Sequence, residues 1–318
     1  MSTKEKKISI LKNKPDVIYI GYPRAGSTFL RSYFSNHPDI HWTRTPEYFG
    51  SNEKFYSEEC LYYGPGADKK KAKCIIDMYE CHVLGYIWSD HKLGELKDKV
   101  SYIKREINSP FNRDYYYPDP GEIASRIKIT LPKAKVLIVL RNQVDWIRSY
   151  YIYHLNVLPG KNKTLYDFLS TRFGKCVLFS GLYHNTIEPY NKLFGKENVY
   201  VMLLEQIKDD SNDALKRLSQ FLGVDFVELP KKKERLNKGF GDRFARGVKR
   251  LSKLGIGINK NNVKRLRWLI RLSGRINVGE NDILTMEEKA FIRSFYAASN
   301  FHTSQLLGID LDAYGYPV

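Results

Sequence analysis

Residues Val17–Leu30 read VIYIGYPRAGSTFL, and this stretch decides the fold. Val17, Ile18, Tyr19 and Ile20 form a short apolar run of β-branched and aromatic residues, the pattern of a buried strand. Gly21 to Gly26 break the run. From Ser27 onward, Phe29, Leu30, Tyr33 and Phe34 place apolar positions on one helical face. A strand, a glycine-bounded turn and a helix start together make an anion cradle. Successive N–H groups point inward, the helix dipole adds positive potential, and the Ser27 and Thr28 hydroxyls add donors. The segment is expected to bind phosphate or sulfate.

The spacing approaches a nucleoside-triphosphate P-loop, which needs Lys between its second Gly and the Ser/Thr. Here Ser27 follows Gly26 directly, and Arg24 is the only cation in the turn. A P-loop kinase using ATP and Mg²⁺ is therefore an alternative reading that lacks its lysine. Outward from the cradle, Ala134–Leu140 (AKVLIVL) is an unbroken apolar run, expected of a central strand covered on both faces. Cys74–Asp77 and Val199–Leu204 read as further strands. Helical spacing runs over Ile123–Leu131, Val144–Leu155, Thr164–Leu169, Leu182–Leu193 and Ala214–Leu222, while Thr43–Phe49 reads as loop. This alternation predicts an α/β fold: a P-loop-like, mostly parallel sheet with helices on both faces. Residues 1–15 read as a flexible polar tail and 16–318 as one domain.

The chain of 318 residues carries a net charge of +17. Between Lys231 and Arg275 there are 16 Lys/Arg against two acids, which leaves +3 for all the other residues. The excess is thus a local feature, a basic insertion or lid at about 231–275, and it expects an anionic partner. Within it, Lys264–Arg275 (KRLRWLIRLSGR) is basic and amphipathic. It suits a groove for an anionic glycan, or a membrane carrying a lipid-linked acceptor; a surface helix with its apolar face in the core is the plainer reading. A nucleic-acid or acidic-lipid binding protein is a second alternative from the same stretch, but no aromatic–basic RNA module or recognition-helix pattern accompanies it, so nucleic acid is not expected. Cys60, Cys74, Cys81 and Cys176 lack metal-ligand spacing and read as small buried residues. No apolar leader follows Met1 and no run reaches membrane-spanning length. These features lead to an expectation of a reduced, cytoplasmic protein without a metal.

A second anchor lies after the strand ending at Leu140. Arg141 stands at the strand's C-terminal end, and Ser149 follows two helical turns on. A cation and a hydroxyl so placed can bracket a phosphate, because ligands of open α/β sheets bind outside those strand ends. Taken with Pro23-Arg24-Ala25-Gly26-Ser27-Thr28, this resembles the sulfotransferases that use 3′-phosphoadenosine 5′-phosphosulfate (PAPS). Their 5′ loop reads Pro-(Lys/Arg)-(Ser/Thr)-Gly-(Thr/Ser)-Thr, and this chain departs from it only at Ala25. Ile123–Leu140, Leu182–Gly223 and Phe295–Val318 resemble later parts of the family, the last of them the close of carbohydrate-type and bacterial members.

The resemblance implies transfer of a sulfonyl group from PAPS, without a metal, to a hydroxyl or amine of a carbohydrate or glycoconjugate acceptor. It implies that Arg24, Ala25, Gly26, Ser27, Thr28 and Phe29 hold the 5′ side of the nucleotide. Arg141 and Ser149 then hold the 3′-phosphate, and Lys238 and Gly239 close over it. Arg24 fits charge stabilisation, since a guanidinium cannot shuttle protons. Glu47, shortly after the His37-Pro38-Asp39-Ile40 turn, is the expected general base. Asp77 is second choice, and His37 and His41 are further alternatives.

Overall fold

The computed structural model describes residues 15–22, 24–43, 72–77, 120–157, 164–228, 266–273 and 283–318, together with Gly247, Lys249–Leu251, Leu254 and Ile256. Among the described residues, five strands form one sheet: β1 (Val17–Gly21), β2 (Ile40–Thr43), β3 (Cys74–Asp77), β4 (Lys135–Leu140) and β5 (Val199–Leu203). Their order is β2-β3-β1-β4-β5, and every pairing is parallel. The α/β sheet expected from the alternation of runs is the one observed. All of β1 and Val136–Leu140 of β4 are buried. Each such aliphatic side chain removed from water contributes about 1.5–3 kcal/mol, so the two central strands are the energetic spine of the sheet.

Helices flank this sheet: α1 (Ser27–Asn36), α2 (Pro120–Thr130), α3 (Gln143–Val157), α4 (Leu165–Ser170), α5 (Arg172–Ser180), α6 (His184–Phe194), α7 (Leu204–Asp209), α8 (Ser211–Leu222), α9 (Arg267–Ser273) and α10 (Met286–Leu307). The α2 and α6 helices pack on each other, and α10 packs on both α3 and α6. Buried Gln143 of α3 and Asn300 of α10 exchange two amide hydrogen bonds, at 2.6 and 3.1 Å. Cys74 and Cys176 are free and buried; Cys60 and Cys81 lie outside the described residues.

Three local expectations are corrected. Ile40–Thr43 is a strand, where the sequence suggests a turn running into a loop. It is a four-residue edge strand, and its ladder to β3 rather than its own propensity holds it extended. Leu204 starts α7 instead of ending β5. Arg172–Ser180 forms a helix that the apolar pattern does not announce; the Thr171 side chain caps it by accepting from Gly174 N–H at 3.0 Å.

Candidate functional site

The strand order places the site. The chain leaves β1 toward β2 and β3, then returns to add β4 on the other side of β1. Such a switch point opens a crevice beyond the C-terminal strand ends. Register then decides which residues meet there. Gly21 stands opposite Val139, and Leu140 opposite Leu203. The turn after β1, Arg141–Asn142 after β4 and Glu205 after β5 therefore leave the sheet side by side.

The turn after β1 is a left-handed nest. Arg24 has φ 72° and Gly26 φ 96°, and the Ala25 N–H donates to the Tyr22 carbonyl at 3.0 Å. Glycine is required at position 26 twice over. Its φ is one that L side chains rarely adopt, and an added Cβ would come 2.7 Å from Leu204 Cδ1. Gly21 is needed for another reason, since the Tyr19 ring folds over the space a Cβ would fill. Ala25 is fully buried, which accounts for a methyl where the resembling loop carries a hydroxyl.

Among the described residues, five helices have N-termini closed by side chains, α3 by Asn142, α4 by Thr164, α5 by Thr171, α8 by Asp210 and α10 by Thr285. Among the described residues, no side chain caps the N-terminus of α1 at Gly26, and its first turn carries no acid. The first intrahelical bond runs from Leu30 N–H to Gly26 carbonyl at 3.1 Å. The N–H groups of the first turn of a helix have no partner in the helix ladder itself.

The two sequence anchors are one assembly. Arg141 Nη1 donates to the Arg24 carbonyl at 2.8 Å, and Arg24 Nε donates to Ser149 Oγ at 3.1 Å. Arg141 Nη2 lies 3.8 Å from Asp145 one helical turn on. Burial lowers the pKa of Arg141, the nearby Asp145 and Glu205 carboxylates offset this, and the Arg24 charge adds to the lowering. A guanidinium stays charged through such a shift. Arg141 Nε is buried and has no acceptor among the described residues.

Beneath this pair lies a shell that the sequence reading does not identify. The Tyr183 hydroxyl donates to the Arg141 carbonyl, and Tyr316 Oη donates to Glu205 Oε2 at 2.9 Å. Burial raises both phenols well above their ordinary pKa, so both remain donors. Glu205 accepts from Asn142 N–H at 3.2 Å, and the Asn142 side chain accepts from Val144 N–H at 2.9 Å and donates to the Gly315 carbonyl. The usable sequence signal was Asn142 itself, an N-cap residue type directly before a helix. Tyr22 donates to Thr186 Oγ1 at 2.9 Å and packs edge-on against Trp146 and Tyr183. The nest is thereby tied to the core on both of its flanks.

Of the residues singled out from sequence, Arg24, Ala25, Gly26, Ser27, Thr28, Phe29, Arg141 and Ser149 belong to this assembly or to the first turn of α1. Glu47, Lys238 and Gly239 lie outside the described residues. Asp77 is buried and stands level with Ile18, three residues short of the nest. His37 sits at the far end of α1. Its Nδ1 accepts from Asp39 N–H at 3.1 Å and its Nε2 lies 2.8 Å from the Asp225 carbonyl, so both ring nitrogens are engaged. His41 lies on edge strand β2. Among the described residues, no group of three or more His, Cys, Asp or Glu is placed to hold a metal ion.

A family model described as Sulfotransferase domain matches residues 14–240. Against curated proteins, the chain is 26% identical over 156 residues to Sulfotransferase 6B1 of Gorilla gorilla gorilla, a match covering 44% of this chain and 52% of that protein. It is 29% identical over 96 residues to Sulfotransferase 6B1 of Mus musculus, covering 30% and 32%. The matched part spans about half, or less, of these relatives' length. Among solved structures, a sulfotransferase from Alicyclobacillus acidocaldarius superposes with a TM-score of 0.53 at 17% identity, covering 95% of this chain and 98% of that one. That likeness concerns the fold.

Proposed function

This chain belongs to the sulfotransferase domain family, and from that premise we propose that it transfers a sulfonyl group from PAPS to a hydroxyl or amine of a carbohydrate or glycoconjugate acceptor. The observation that carries the reading is the linked pair of cations: Arg141 bonded to the Arg24 carbonyl, and Arg24 bonded to Ser149. Two anion positions result, as a nucleotide with phosphates at both ends of its ribose requires. One is the uncapped N-terminus of α1 beside Arg24. The other lies at the buried Arg141 Nε and Ser149. PAPS, when bound, supplies the activated sulfonyl group.

The chain's own part is positioning and electrostatics. The nest and the first turn of α1 orient the 5′ end through N–H donors. Arg24, exposed at the rim, neutralises charge that develops on the transferring oxygens and the departing phosphate. It takes no proton there, because a guanidinium does not deprotonate in this range. A separate base must accept the acceptor's proton, and Glu47 is assigned that role. Lys238 and Gly239 are assigned to the 3′-phosphate. The carbohydrate-type acceptor is supported by the position of Glu47 after His37-Pro38-Asp39-Ile40 and by the closing run Phe295–Val318.

Calorimetric titration with 3′-phosphoadenosine 5′-phosphate, beside ATP with Mg²⁺, tests the donor. Metal-independent micromolar binding of the former, lost in Arg141→Ala, is the expected result. Preference for ATP with Mg²⁺ would overturn the reading in favour of a kinase. Glu47→Gln should retain nucleotide affinity and lose turnover; full turnover would remove Glu47 from the mechanism.

A further inference from the structure

The basic segment carries a small structural unit that the transfer reaction does not use. Leu251 and Ile270 are buried against each other, with Leu266 and Leu269 packed beside them, apart from the main core. Gly247 makes this contact close: a Cβ there would overlap the Ile270 carbonyl oxygen. Lys249 fixes the unit to the rest of the protein. Its Nζ donates to the Ile283 carbonyl at 2.6 Å, lies 4.0 Å from Glu288, and sits 5.5 Å over the Tyr151 ring.

This anchored unit leaves large apolar side chains exposed. Leu254 is 75% exposed, Trp268 64%, Leu272 53% and Ile256 39%. These are four of the ten large hydrophobic residues exposed among the described residues, gathered on two short stretches. Trp268 and Leu272 are four apart on α9 and so share one helical face, opposite Ile270. The sequence around them, from Arg243 to Gly279, holds eleven Lys/Arg and no Asp or Glu.

We propose that this unit is a docking surface for an anionic lipid bilayer. Charge alone would suit any polyanion. The exposed Leu254, Leu272 and Ile256 decide against a glycan or nucleic acid, which offer aliphatic side chains nothing to bury into. A bilayer accepts both features at once: anionic headgroups attract the cations, Trp sits at headgroup level, and the aliphatic groups enter the acyl boundary. Membrane association would hold the crevice near an interface, where an amphiphilic acceptor concentrates. The docking itself does not rest on the sulfotransferase reading.

The test is co-sedimentation of the full chain with phosphatidylcholine vesicles, with and without about 30% phosphatidylserine. Binding should require phosphatidylserine and weaken at about 0.5 M NaCl. Trp268→Ser with Leu272→Ser should lower the partition coefficient by about tenfold or more. Both residues are exposed, so melting temperature and nucleotide affinity should stay unchanged, which separates this result from misfolding. Equal partition of the double variant and the parent would overturn the proposal, since the surface would then act by charge alone. Tight binding of heparin or duplex DNA without vesicle binding would overturn it as well.

Discussion

Arg141 Nη1 donates to the main-chain carbonyl of Arg24 at 2.8 Å across 117 residues of sequence. The carbonyl it holds belongs to the one non-glycine residue with positive φ among those described. One guanidinium thus clamps the nest through Nη1, and in the proposed function its Nε serves the 3′-phosphate.

Arg141→Lys keeps the charge but cannot reproduce that fork. A hydrogen bond from a charged donor contributes about 1.5–3 kcal/mol, so affinity for 3′-phosphoadenosine 5′-phosphate should fall about ten- to a hundredfold. Calorimetry reads the loss directly. Affinity equal to the parent would mean that charge alone matters at this position.

Gly26→Ala should destabilise the protein and weaken nucleotide binding. The left-handed backbone costs a Cβ-bearing residue about 1–2 kcal/mol, and the contact with Leu204 adds to it. Adding Leu204→Ala removes the steric part and leaves the backbone part. A double-mutant cycle on melting free energies should therefore show favourable coupling between the two sites. Strict additivity would place the whole cost in the backbone.

Arg24→Gly separates strain from chemistry. Relief of a left-handed residue returns about 1–2 kcal/mol, and the freedom glycine gains in the unfolded chain removes about 0.4–1 kcal/mol. Thermal stability should accordingly be kept or slightly raised. In the proposed function, where Arg24 faces the transferring group, turnover should fall by about 10²–10³. A collapse in melting temperature would show instead that the bond to Ser149 holds the nest together.

The His184 pKa is lowered, mainly by burial and then by His302, whose ring lies 4.9 Å away, while Glu188 acts in the opposite sense. A histidine with a depressed folded pKa binds fewer protons folded than unfolded. Its contribution to stability is present above the unfolded value of about 6.5 and is lost as pH falls through the folded one. Melting temperature should drop between about pH 7 and pH 5. His184→Gln should flatten part of that decline, leaving the carboxylate contribution. An unchanged pH profile in the variant would contradict this account.

What the sequence discloses and what it conceals have physical reasons. β1 and β4 are legible because strands buried on both faces need unbroken apolar runs. The nest is legible because a left-handed turn before a helix needs glycine at position 26. Edge strand β2 is concealed because IHWT has no apolar run, and its structure comes from pairing with β3. The start of α10 is encoded in the capping-box spacing of Thr285 and Glu288. That signal is diluted because α10 buries Ser299, Asn300 and Thr303 as well as apolar residues. Tyr183, Glu205 and Tyr316 are concealed for a different reason. Each supports the anchors through contacts between distant segments, and no local pattern encodes such a contact.

The parallel pairing of β1 with β4 also has a consequence in time. More than a hundred residues, including β2 and β3, must be spanned before the strand that leads into Arg141 can lie beside the strand that leads into the nest. Loop closure of that span is slow and carries an entropy cost that only the completed ladder offsets. A nascent chain that has emerged only as far as Thr130 holds the Arg24 turn without its clamp. Competence for nucleotide should appear late in folding, as a single event with closure of the central sheet, and no amino-terminal fragment lacking β4 should acquire it gradually.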